Sequence, residues 1–292
     1  MAKKVDNIIK DYLSKNDRFK DILNYYLFKG RQVVKESDLK ELDTTLVNTE
    51  GDIFENFRDL FKEVCIVKEN RKNTFLLIGI ENQTRMDYEM VSRVFLYDAL
   101  SLRKVFKNND KVKPIITIVI YYGEKKWDCP KSLYDYYSDM DEDIDEYMDD
   151  ELSEFMPNYF INVIEPYQMT DDDINKFKSD FKIVCDFIRK SKDIKGIDSI
   201  RKNNDKIEDE TIDLINYITN SNLVYDKERG IDSMCKGLDE FEKRAKNEGR
   251  AEGETKKLNE NIKTMHSNGF DAETIARALS LDINYVKEVL SK

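Results

Sequence analysis

Phe75-Leu-Leu-Ile-Gly-Ile-Glu-Asn-Gln83 is an apolar run, β-branched toward its end, that closes on an acid, one intervening residue and an amide. Its length and composition predict a buried strand. Side chains alternate along a strand, so Glu81 and Gln83 point to one face. Upstream, Arg58-Asp-Leu-Phe-Lys-Glu-Val-Cys-Ile-Val67 reads as a neighbouring strand whose isolated acid, Asp59, can approach the same face. Two hard carboxylate oxygens suit a magnesium ion, the remaining positions being water and a phosphate oxygen. An acid-x-polar ending is common in strands, so the spacing alone leaves a plain charged strand end open.

The wording around that spacing is more specific. Leu76 to Gln83, followed by Met90-Val-Ser-Arg-Val-Phe-Leu-Tyr-Asp98, resembles the PD-(D/E)XK nucleases of the recombination-promoting nuclease, or putative transposase, family. There the strand ends in Glu-x-Gln and the next helix carries Met-x-x-Arg-x-x-x-Tyr. The matching residues are Glu81, Gln83, Met90, Arg93 and Tyr97, with Asp59 as the lone preceding acid. Ile118-Val-Ile-Tyr-Tyr-Gly123 and Trp127-Asp-Cys-Pro-Lys-Ser-Leu133 are similar to the family's next strand and turn. The resemblance runs from about residue 15 to 250 and is strongest over 55–135.

It implies an α/β, restriction-endonuclease-like core, a central mixed sheet flanked by helices, with an all-helical C-terminal extension. It also implies a metal-dependent DNA endonuclease linked to recombination, mobile elements or defence. Asp59, Glu81 and Gln83 are then catalytic, and Asp59 and Glu81 hold Mg²⁺, with Mn²⁺ as a substitute. Arg93 and Tyr97 are supporting residues, and DNA and a second copy of the chain are the partners. Most relatives of the superfamily carry Lys where Gln83 stands. An amide can orient by hydrogen bonding but supplies no charge, so Arg93 or a lysine from elsewhere is the expected replacement. The alternative is a catalytically weak or silent protein of the same fold that binds DNA or a protein.

Composition bounds these readings. The 292 residues can bury a real core in one large or two modest domains. No apolar stretch approaches the ~20 residues of a membrane helix, and the N-terminus lacks a secretory hydrophobic core. Cys65, Cys129, Cys185 and Cys235 have no paired spacing, which favours reduced thiols in a cytoplasmic protein over a zinc site. With His266 as the single histidine, histidine-based metal or triad chemistry has little support. The net charge of −11 opposes nucleic-acid binding at first sight, yet ten acids fall within 139–154, which holds no Lys or Arg. The rest is nearly balanced, and a nuclease needs only a local basic track. Lys62, Lys68, Arg71, Lys72, Arg93, Arg103, Lys104 and Lys107 are its candidates.

Three regions follow: a nuclease-like core with N-terminal helices at 1–168, a helical extension at 169–250, and a connector with a small tail resembling a helix-turn-helix at 251–292. Helices are expected over 5–13 and 18–27, the second capped by Asn16 or Asp17. Asn16-Asp-Arg-Phe-Lys20 resembles the family's opening Asp-x-x-Phe-Lys, with Asn16 in the acid's place and Asp17 or Asp21 as weak substitutes. Strands are expected near 59–67, 74–82, 115–122 and 159–166. A helix near 87–106 should pack Val91, Val94, Phe95 and Leu102 on the sheet. Tyr97 reads either as core or as a phenol beside Glu81, and Trp127 as a packing anchor. Further helices are expected near 171–190, 207–220 and 231–248, then two short ones capped by Asp271 and Asp282. The acidic run 139–154 reads as an exposed loop or frayed helix end.

Overall fold

The computed structural model describes residues 2–47, 55–66, 73–108, 111–140, 155–193, 196, 197, 199, 200, 207–221, 247, 250, 253 and 255–291. The chain divides into two compact units, Met1–Met234 and Cys235–Lys292. No helix among the described residues is long and apolar enough to cross a membrane.

The larger unit opens with helices α1 (Ala2–Ser14) and α2 (Asn16–Tyr26). Its sheet contains β1 (Leu39–Glu41), β4 (Leu60–Ile66), β5 (Thr74–Gln83), β6 (Ile115–Tyr121) and β7 (Asn162–Ile164), in the order β1-β4-β5-β6-β7. β4 pairs antiparallel with β1 and β5, whereas β5, β6 and β7 run parallel. A separate antiparallel pair, β2 (Thr45–Val47) with β3 (Glu55–Phe57), precedes β4. Helix α3 (Met90–Lys107) makes the crossover that the parallel β5–β6 pair requires. This is the mixed α/β sheet with flanking helices expected from the sequence.

Alternation along β5 divides the core. Ile78 and Ile80 are paired with Ile116 and Ile118 and lie on the face covered by α1 and α2, where Tyr12, Leu13, Phe19 and Ile22 are buried. Lys62, paired with Ile78, marks that face, because its ammonium reaches the α1–α2 junction. Gly79, Glu81 and Gln83 lie opposite, paired with Thr117, Val119 and Tyr121. There Val119 and Tyr121 pack with Met90, Val91 and Val94 of α3 and with Trp127, Leu133 and Ile161. Trp127 meets Tyr121 edge-on at 5.0 Å between ring centroids, the packing role expected of it.

Several boundaries differ from expectation, each for a tertiary reason. The strand expected over 159–166 shrinks to Asn162–Ile164, with Phe160 in an isolated bridge to Ser132. The single helix expected over 171–190 is two, α5 (Asp171–Lys176) and α6 (Phe181–Arg189). The break is held by Asp21, whose buried carboxylate accepts from the Lys178 and Ser179 N–H groups at 2.8 and 2.6 Å. Asp21 thus stabilises the unwound backbone between α5 and α6. The N-cap of α2 is Lys15, because Asn16 is occupied by accepting from Lys62 at 2.6 Å. On α3, Phe95 faces outward and Asp98 takes a buried position instead. Helix α4 (Leu133–Met140) leads into the acidic run, most of which (141–154) lies outside the described residues. So does nearly all of the helix expected over 231–248. Helix α7 (Asp209–Thr219) packs on α1 and α6, tied to α2 by Arg18, which pairs with Glu208 and Glu210.

In the smaller unit, residues 255–267 are helical and are followed by α8 (Ala272–Leu279) and α9 (Ile283–Ser291). Ile262, Ile275, Ala276, Val286 and Val289 form its core. Gly269 at φ +91° ends the first helix, in a region that disfavours other residues. Asp271 caps α8 by accepting from the Thr274 N–H at 2.8 Å.

Candidate active site

The site is built where β4 begins and β5 ends. Leu60 pairs with Ile80, so one step farther along the register Asp59 stands across from Glu81. Adjacent strands lie about 4.8 Å apart, and the two acids are held as neighbours. Asp59 Oδ2 accepts from the Asn82 N–H at 2.8 Å and from its side-chain amide at 3.4 Å. The Tyr122 hydroxyl donates to Asn82 Oδ1 at 3.3 Å, orienting that amide. Asp59, Glu81, Gln83 and Arg93 line one polar cavity of about 260 Å³, with Ile9, Asn82 and Thr84 completing its wall.

Glu81 is the unusual member. It is 2% exposed, and its Oε1 has no hydrogen-bond partner among the described residues. Burial, reinforced by the charge of Asp59, pushes its carboxyl up to about 8. Arg58, Arg93 and an N–H bond from Asp59 act in the opposite sense and do not cancel that rise. A buried acid with an orphaned oxygen beside a second acid is a costly arrangement without a ligand. Gln83 is half-buried in the same cavity, on the same strand face as Glu81.

The supporting residues divide. Arg93 lines the cavity, but its guanidinium pairs with Asp87. Tyr97 is buried, hydrogen-bonds Arg93, and does not line the cavity. Of the proposed basic track, Lys62 is buried and bonded to Ser14, Asn16 and Glu41, so it presents nothing to solvent. A lysine on a buried strand position turns inward, and here the α1–α2 turn supplies its acceptors. Lys104 pairs with Asp43, and Arg103 and Lys107 are exposed on α3. Lys68, Arg71 and Lys72 lie outside the described residues.

Sequence reasoning missed the charges beneath the site. Arg58, fully buried, donates to Asp98, to Thr117 Oγ1 at 2.9 Å and to Ser101 Oγ at 3.3 Å. The Tyr159 hydroxyl and Thr117 Oγ1 also donate to Asp98. Gly79 makes room for this cluster: a Cβ there would lie 2.3 Å from Arg58 Nη1. One signal was available, since Asp98 falls four residues after Val94 on the buried stripe of α3. The basic residue directly before the lone Asp59 was a weaker one.

The donor set fits a hard divalent cation. Mg²⁺ typically takes one or two carboxylates and keeps several waters or phosphate oxygens, and Glu81 Oε1 is a buried acceptor in need of a partner. Among the described residues no group of three or more His, Cys, Asp or Glu side chains could hold a metal, so Asp59 and Glu81 would act as a pair.

Comparison with curated proteins found no match, and comparison with solved structures found none. The family model described as "Putative transposase, YhgA-like" matches residues 3–212, which include every strand of the sheet and every residue of this cavity; the chain belongs to that family.

Proposed function

We propose that this chain is a metal-dependent DNA endonuclease acting in recombination or mobile-element biology. The observation that carries the reading is the buried Asp59–Glu81 pair, with Glu81 Oε1 unsatisfied, in a polar cavity shared with Gln83 and Arg93. Membership of a transposase-like family supports DNA as the substrate. Asp59 and Glu81 would hold Mg²⁺ or Mn²⁺, which supplies polarisation of the scissile phosphate and a lowered pKa for the attacking water. The chain's own groups then position. Asn82 fixes the Asp59 carboxylate, Gln83 offers one orienting hydrogen bond, and the floor of Val119 and Tyr121 keeps the strand ends rigid. A homodimer would present one such cavity to each strand of a duplex.

A second reading has its own observation. Gln83 is neutral and Arg93 is paired with Asp87, so the charge available at the cavity is modest. A silent relative that binds DNA or a protein fits that. Nicking of supercoiled plasmid by purified protein, with Mg²⁺ and with EDTA, decides between them. Metal-dependent nicking that disappears in Glu81→Ala is the expected result. Equal nicking by wild type and variant would expose a contaminant and leave the silent reading.

A further inference from the structure

A second cavity of about 320 Å³ shares Asp59 with the first and is walled by Lys10 and Ser14 of α1 and by Glu41, Asp43 and Lys62. The Lys10 ammonium donates to the Arg58 carbonyl at 3.3 Å. That carbonyl belongs to the peptide unit that joins Arg58 to Asp59. Lys10 therefore stands one peptide group from Asp59, which lines both cavities.

The other cations near the site are committed. Arg58 pairs with Asp98, Arg93 with Asp87, and Lys62, buried, with Glu41. Of the acids that share the second cavity with Lys10, Glu41 pairs with Lys62 and Asp43 with Lys104, while Asp11 is exposed on α1. Lys10 itself is half-buried and enters no ion pair among the described residues. Its one described bond is to a neutral carbonyl, which an ammonium with three donors can keep while accepting a second partner.

We propose that Lys10 is the phosphate-contacting cation of the site, supplying from the N-terminal helix the positive charge that Gln83 does not. This rests on the nuclease reading above. A flexible four-carbon stem reaching from the neighbouring helix lets the ammonium meet a phosphate oxygen at the Asp59 wall, where negative charge grows during phosphodiester cleavage.

The test compares wild type, Lys10→Met, Lys10→Arg and Glu81→Gln in two assays, after thermal melts confirm folding. In single-turnover plasmid nicking with Mg²⁺, Lys10→Met should be slower by about 10²-fold, Lys10→Arg should recover most of that loss, and Glu81→Gln should be inactive. In duplex binding with Ca²⁺ replacing Mg²⁺, Lys10→Met should lower the slope of log K against log salt by about 1, as expected for one lost phosphate contact. Glu81→Gln should leave that slope unchanged. If Glu81→Gln is inactive but Lys10→Met cleaves and binds as wild type does, the Lys10 assignment is overturned and the nuclease reading stands. If nothing cleaves yet Lys10→Met lowers the salt slope by about 1, the nuclease reading fails and Lys10 remains a phosphate contact. A wild-type protein that neither binds nor cuts DNA overturns both.

Discussion

Two clusters of buried charge sit side by side on the α3 face of the sheet, and they are built to opposite rules. Around Gly79, Arg58 and Asp98 form a closed network with Thr117, Ser101 and Tyr159. Two residues farther along β5, Glu81 and Asp59 are like charges, and one Glu81 oxygen has no partner among the described residues. The first cluster is complete, so it anchors α3 to β6 and to the start of β4. The second leaves a buried oxygen open, and in the proposed function a cation completes it. Burial alone therefore does not separate the two clusters; an unsatisfied oxygen beside a second acid does, and that is why the second is the candidate site.

The comparison is most easily broken through activity. Asp59→Ala or Glu81→Ala should lower Mg²⁺-dependent nicking by about 10³-fold or more, on the order of 4 kcal/mol, with Gln83→Ala near 10-fold. A loss no larger for the carboxylates than for Gln83 would mean the acids do not hold the ion. In the closed cluster the effect should appear in stability. Asp98→Ala leaves Arg58 buried and unpaired and should cost about 3–5 kcal/mol in urea unfolding. A cost under about 1 kcal/mol would show that the network is solvated after all.

The open cluster should respond to pH in the other sense. Glu81 has an ordinary value near 4.5 when unfolded and about 8 when folded. Below pH 4.5 both states hold the proton and Glu81 costs nothing. As pH rises toward 8 the unfolded chain ionises while the folded one retains its proton, so stability is lost through that window. Glu81→Gln should therefore stabilise the metal-free protein by on the order of 5 kcal/mol at pH 9 and by nearly nothing at pH 4. A flat difference across that range would refute the buried-acid account. The smallest effect expected is from the ion itself. Mg²⁺ at ten times its Kd should stabilise wild type by about 1.4 kcal/mol and Glu81→Gln hardly at all, read by thermal melts at pH 8.

Much of the frame was readable in the sequence because its signals are local. The apolar run before Glu81 and its period of two place Glu81 and Gln83 on one face, and β5 spans Thr74–Gln83. The 3.6-residue stripe beginning at Met90 is α3, and Asp271 caps its helix as the spacing indicates. Chain-local patterns of this kind depend on backbone geometry shared by all proteins. The register of β4 on β5 and the partner of each charge do not. Asp21 breaks a helix 157 residues away, Lys62 turns inward to the α1–α2 junction, and Phe95 yields its place on α3 to Asp98 because Arg58 is buried beneath it. The sequence by itself determined which residues carry charge and which strand ends in acid. Tertiary structure alone decided which charges are neutralised, because a buried ion selects its partner by distance in space, and those partners lie 40 residues or more apart in the chain.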